Sequence, residues 1–154
     1  MANRKQIAGG AIAAALAIAT PFVAGWEGKR NDPYRDIVGL MTVCYGETKV
    51  EMRRYSDAEC TAMLEKSLVG YVEPVLKRNP QLASHPYQLA AATSLAYNIG
   101  NANYARSTVA KRFDRGDYVG ACNAMLMWNK AGGRVVKGLV NRRKAERELC
   151  LRGL

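Results

Sequence analysis

Hydrophobic and polar positions divide the chain into an uncharged leader, a short β-patterned stretch and a series of helical segments. After "MANRKQ", with Arg4 and Lys5, residues 7–25 (IAGGAIAAALAIATPFVAG) carry no charge. As a helix, nineteen residues at about 1.5 Å each reach roughly 28 Å, close to the hydrocarbon thickness of a bilayer. Eight of the nineteen are Ala and three are Gly, so few large aliphatic side chains favour insertion and the anchor is weak. Near its end Thr20 reads as an N-cap and Pro21 as the first residue of a short helix to Glu27 that turns Phe22 and Val23 towards a core. In the other reading Pro21 kinks a membrane helix.

Further along, the turn formers Asn31, Asp32 and Pro33 precede Ile37, Val38 and Gly39, and then the β-prone "LMTVCYG", which predicts a small hairpin sheet. The pattern then becomes helical. "YSDAECTAMLEKSLVGYVEPVL" opens with Ser56 and Glu59 spaced as a capping box, and sets Ala58, Met63, Leu64, Leu68, Tyr71, Val72 and Val75 near one helical face. "PYQLAAATSLAYNIG", "STVAKRFDRGD", "YVGACNAMLMWNKAGG" and "GLVNRRKAERELCLRGL" each read as an amphipathic helix ended by Gly or a turn. No internal repeat is present. The expected class is α+β, with a small sheet near the front and helices behind.

The 154 residues suffice for one domain. With 23 Lys plus Arg against 13 Asp plus Glu, the net charge of +10 suits a polyanionic partner: nucleic acid, anionic lipid or an envelope polymer. The nucleic-acid class lacks support, because the chain has no Cys/His finger spacing, no interleaved aromatic and basic strands and no heptad-bearing basic region. Cys44, Cys60, Cys122 and Cys150 are widely spaced, with no C-x-x-C and a single histidine, so a metal site is not expected. In an oxidising compartment the four cysteines allow three pairings, of which Cys44 with Cys60 and Cys122 with Cys150 is preferred because it closes a short loop in each half; in a reducing one the four stay buried thiols. His85, before Pro86, reads as a surface loop residue.

Three fates suit the leader: a cleaved signal peptide, for which Ala17 and Ala19 supply an A-x-A site, a permanent anchor, or an anchor able to leave the bilayer. Lys29, Arg30 and Arg35 compete with Arg4 and Lys5 for the cytoplasmic side. Cysteine pairing favours a short tail inside and the domain outside.

Hydrolysis of a glycosidic bond needs a carboxylic acid to protonate the leaving oxygen and a carboxylate to direct water or attack the sugar. Glu27 and Asp36 are the candidates, with Thr42 as a third polar group around one cleft. Two acids nine residues apart are more often surface charges. The apolar segment leading to the first of them strengthens the case, since burial keeps a carboxylic acid protonated.

The setting "WEGKRNDPYRDIVGLMTVCYGET", Glu then eight residues, Asp, five residues and Thr, resembles the signature of the phage-type lysozymes, the family of the T-even phage enzyme. "LAYNIG", "ARST", "WNKAGG" and "GLVNRRKAERELC" stand in the family's order, so the resemblance covers residues 19–154. It implies a lysozyme-like α+β fold: a small sheet lobe joined by a long helix to a larger helical lobe, with the wall glycan in the cleft between. It also implies an inverting muramidase that cleaves the β-1,4 bond between N-acetylmuramic acid and N-acetylglucosamine, with no cofactor and no metal. Glu27 would be the general acid, Asp36 the carboxylate that positions water and Thr42 that water's hydrogen-bonding partner. Asn98 would face the glycan, and Arg142 would pair with the catalytic acid. Trp128 and Tyr97 are expected as core residues more than as sugar platforms.

The front end departs from the soluble members and is similar to that of the signal-anchor-release endolysins. Residues 1–25 are expected as the release segment and 20–154 as the catalytic domain, the overlap being the point: Pro21–Trp26 cannot complete the lobe while in lipid. The expected partners are peptidoglycan and the bacterial inner membrane, with the amino terminus inside, the domain periplasmic, and a monomer after release. None of the cysteines lies in the leader, which argues against release driven by thiol exchange. A cationic pore-forming protein and a transglycosylase are the rival readings.

Overall fold

The computed structural model describes residues 3–154. Helix α1 (Arg4–Ala24) leads into strands β1 (Arg30–Arg35) and β2 (Met41–Cys44), then the long helix α2 (Asp57–Arg78). A 3₁₀ turn (Pro80–Ser84) precedes α3 (Pro86–Ile99), α4 (Asn101–Ala105), α5 (Thr108–Asp114) and α6 (Tyr118–Ala124). A second 3₁₀ turn (Met125–Met127), strands β3 (Lys130–Ala131) and β4 (Arg134–Val135), and helix α7 (Lys137–Leu151) complete the chain. The expected α+β, lysozyme-like arrangement is present. A two-stranded antiparallel sheet, β1 with β2, sits over the start of α2, and helices packed around α3 make the larger lobe.

The leader is one helix. Asn3 and Gln6 close a capping box at its start, and the helix runs through Thr20 and Pro21 to Ala24, so Thr20 does not cap a separate short helix. Pro21 can sit there because only the last turn follows it: the bond its missing N–H would make is lost, and burial of the surrounding residues offsets this. Ala11, Ala15, Leu16, Ala19 and Val23 are buried, and Phe22 packs partly against the same core. Thr20 is also buried, and its hydroxyl has no hydrogen-bond partner among the described residues. Alanines at every fourth position let α1 lie close against the Ala-rich α3. Among the described residues α1 is also the one helix long and apolar enough to cross a membrane.

The first hairpin forms one turn later than its sequence suggests. Asn31, Asp32 and Pro33 lie within β1, where a register irregularity between Arg30 and Tyr34 accommodates the proline on a two-stranded edge. The reversal occurs at residues 36–40: the Asp36 carbonyl accepts from Gly39, whose φ of 84° favours glycine, and the Asp36 N–H donates to the Leu40 carbonyl. Ile37 and Val38 are left at the exposed tip.

Helix α2 carries the expected Ser56–Glu59 capping box, with the two reciprocal bonds at 2.8 and 3.1 Å. Its buried face is Cys60, Leu64, Leu68, Val72 and Val75; Met63 and Tyr71 flank it, whereas Ala58, in the first turn, is exposed. Helix α3 differs from the amphipathic expectation, since every residue from Gln88 to Ala96 is buried. A helix enclosed by α1, α2 and α7 needs no polar face. "YVGACNAMLMWNKAGG" also departs from a single helix: α6 stops at Ala124, and "WNKAGG" enters the β3–β4 hairpin, with Gly132 and Gly133 both at positive φ.

The disulfides are Cys44–Cys60 and Cys122–Cys150, the sequential pairing. The first ties the hairpin to α2 beside a small core of Val43 and Tyr55; the second ties α6 to α7 in the main core. His85 is half-buried, its ring 4.6 Å from that of Tyr118, and is not the simple surface loop residue expected.

Candidate active site

Helix α1 positions the first acid. Past Ala24 the chain makes one closing turn, in which the N–H groups of Trp26 and Glu27 both donate to the Val23 carbonyl, at 2.9 and 3.0 Å. Val23 is fully buried, so the backbone of Glu27 is fixed to the core through it. At its other end the Glu27 carboxylate accepts from Arg142 Nη1 on α7, Oε1 lying 2.8 Å away. The arginine side chain is 6% exposed and the glutamate side chain 27%, so the cation is enclosed and the acid is partly open to solvent.

Asp36 and Thr42 come together through Leu40. Asp36 Oδ1 accepts from the N–H groups of Val38 and Leu40 at 3.0 and 2.9 Å, while the Thr42 hydroxyl donates to the Leu40 carbonyl at 2.9 Å. Both of the Asp36 bonds fall on Oδ1, and the Thr42 proton is committed, so Asp36 Oδ2 and the Thr42 oxygen are the acceptor sites left for a ligand. Thr42 is buried opposite Tyr34 on β1. Two acceptors on one rigid hairpin suit the holding of a water molecule. No hydrogen bond or ion pair joins this hairpin pair to the Glu27–Arg142 pair among the described residues.

The other candidates divide. Asn98 and Trp128 line one cavity of about 340 Å³ with Asn103, Lys130 and Leu139, and Asn98 is exposed there. Trp128 also packs against the main core. Tyr97 is half-buried and meets Tyr71 edge to face, ring centroids 5.1 Å apart. Its hydroxyl is pushed up to about 12, first by burial and then by the negative charges of Glu27 and Glu47. Tyr97 therefore belongs to the electrostatic surroundings of the acid. No group of three His, Cys, Asp or Glu placed to hold a metal occurs among the described residues.

Sequence reasoning did not single out Arg143, Glu146 and Ser94. All three are buried, Glu146 Oε2 accepting from the Ser94 hydroxyl at 2.7 Å and from Arg143 Nη2 at 3.1 Å. The i, i+3 and i, i+4 spacing of "RRKAE" signals ion pairs along a helix. Nothing local signals that this helix face is turned inward.

The phage lysozyme family model matches residues 24–146. A SAR-endolysin of bacteriophage PS119 is 39% identical over 154 residues, spanning 96% of this chain and 90% of that protein. A SAR-endolysin of enterobacteria phage P21 is 38% identical, over 97% of this chain and 96% of its own length. Among solved structures, an endolysin from Escherichia coli O157:H7 phage FAHEc1 superposes with a TM-score of 0.76 at 25% identity, over 88% of this chain and 92% of that one.

Proposed function

The chain belongs to the phage lysozyme family, and on that premise we propose that it is a muramidase endolysin. Its substrate is the β-1,4 bond between N-acetylmuramic acid and N-acetylglucosamine in peptidoglycan, hydrolysed with inversion to lyse the host cell. The observation that carries the reading is the partly exposed Glu27 carboxyl, held by buried Arg142 at 2.8 Å. Glu27 gives its proton to the bridging oxygen as the bond to the anomeric carbon breaks. Asp36, through Oδ2, takes a proton from the water that attacks that carbon from the opposite face, and Thr42 orients the same water by accepting a hydrogen bond from it. Asn98 contacts the glycan in its cavity with Trp128.

Residues 1–25 are the release segment and residues 20–154 the catalytic domain. Before release the leader lies in the inner membrane, amino terminus inside, with the domain in the periplasm. The enzyme is then inactive, because Val23 cannot both lie in lipid and hold the backbone of Glu27. After release it is a soluble monomer. The burial of Ala15, Ala19 and Val23 against α2 and α3 supports this, since it gives a weak anchor a protein environment to move into. The names of the SAR-endolysin relatives, which align over nearly the whole chain, support it too.

Glu27→Gln, assayed by clearing of isolated peptidoglycan, tests the catalytic reading: loss of at least a hundredfold is expected for a missing general acid. Clearing at the wild-type rate would refute it. Mass spectrometry of the wild-type products separates hydrolysis from transglycosylation: a reducing end is expected, and a 1,6-anhydro end would mark the rival reaction.

A further inference from the structure

Behind the Glu27–Arg142 pair lies a layer of buried charge that the catalytic roles leave unused. The side chains of Arg143 and Glu146 have no exposed surface, and Arg143 Nε approaches Glu146 Oε1 to 2.5 Å. Glu146 Oε2 takes the Ser94 hydroxyl from α3 and lies 3.6 Å from Arg142 Nε. One carboxylate thus serves two guanidinium groups, and the second of these reaches Glu27 with its Nη1. Burial pushes the Glu146 carboxyl above its usual range, against the pull of Arg143, Ser94 and Arg142. Arginine does not release its proton, so the anion that two enclosed guanidiniums require is this one.

The arrangement resolves a conflict in the site. Arg142 sets a positive charge 2.8 Å from the carboxyl that must deliver the proton, and Glu146 sets a negative charge on the far side of the same guanidinium, 3.6 Å from its Nε. Tyr97 on α3 interacts electrostatically with Glu27 and also with Glu47, and the groups that act on Glu146 are Arg143, Ser94 and Arg142.

We propose that Glu146 is a positioning residue for the reaction, fixing Arg142 from behind and sharing its charge so that Arg142 Nη1 orients the Glu27 carboxyl. The proposal rests on the reading of Glu27 as the general acid. Glu146→Gln removes the shared anion and keeps the side-chain shape. In the full-length protein on soluble uncrosslinked peptidoglycan, the basic limb of the kcat/KM profile should move to lower pH by about one unit. The Glu27 carboxyl carbon, followed by ¹³C NMR, should ionise at correspondingly lower pH. A purely structural role would lower the unfolding midpoint and scale activity equally at every pH; an unmoved limb and an unmoved Glu27 resonance would therefore overturn the proposal. If the glutamine variant does not fold, Glu146→Asp is read in its place. It keeps the charge but withdraws it from Arg142 by one methylene, and a smaller shift in the same direction is expected, an unshifted profile counting against the idea. The NMR titration does not depend on turnover, so it separates failure of this inference from failure of the catalytic reading, which Glu27→Gln tests.

Discussion

Arg142 and Glu27 stand 115 residues apart in the chain and meet through one 2.8 Å hydrogen bond. The first belongs to the last helix, the second to the turn after the first helix, so the bond fastens the two ends of the fold at the point where the chemistry is proposed. Arg142→Met should remove about 2 kcal/mol of stability, less than for a fully buried ion pair because the carboxylate is partly open to water. Activity should fall on the order of a hundredfold. Arg142→Lys should recover only part of each, since an ammonium cannot reach Glu27 and Glu146 with separate nitrogens. Urea unfolding and peptidoglycan clearing check both quantities.

Thr42 donates its proton to the Leu40 carbonyl, which leaves its oxygen free to accept. Thr42→Val keeps the β-branched shape of the strand and deletes that oxygen. We expect kcat to drop by roughly one to two orders of magnitude, with stability changed by about 1 kcal/mol. Thr42→Ser should retain most of the rate, and equal activity in the serine and valine variants would remove the hydroxyl from the mechanism.

Gly9 and Gly10 lie on an open face of α1, where an added Cβ meets nothing within 4 Å. Replacing both with Leu leaves the packed helix without clashes while strengthening membrane insertion by about 1 kcal/mol or more. The double variant should stay in the membrane fraction and delay lysis, yet clear isolated peptidoglycan at the wild-type rate once extracted. Lysis at the usual time, with the protein released as before, would contradict control by the anchor.

Burial holds two tyrosines un-ionised. Tyr97 is raised from 10.0 to about 12, and Tyr104, enclosed with its hydroxyl donating to Asn79 Oδ1, is raised further. A phenol raised in the fold stabilises it below its unfolded value and loses that contribution as pH rises through the folded one. Stability should therefore decline above pH 10, across the window up to about 12 for Tyr97. Ultraviolet phenolate absorbance should show late-titrating tyrosines that appear together with unfolding. Tyr104→Phe should remove the latest of them.

Local chemistry made much of this legible. The Ser56–Glu59 box and the start of α2 depend on interactions within a few residues, and they formed as read. The spacing of Glu27, Asp36 and Thr42 offered a candidate site, and the resemblance to the phage-type lysozymes singled it out; the turn and the hairpin that carry these residues are short-range structures. Sequence alone misplaced the hairpin reversal: Asn31 and Pro33 have turn chemistry, yet the tip went to Ile37 and Val38, because Asp36 Oδ1 and Gly39 together close a tighter loop there.

What only the tertiary structure decided is where long-range burial falls. Thr20 and Pro21 carry the local signal for starting a helix, but packing of Ala15, Ala19 and Val23 on α2 and α3 outweighs it and keeps α1 whole. "RRKAERELC" reads as a charged, solvated helix; its Arg142, Arg143 and Glu146 are enclosed because α3 supplies Ser94, and the turn after α1 supplies Glu27, from far along the chain. Sequence determines which residues can carry charge or span lipid. Which of them lose water is set by neighbours that only folding brings into place.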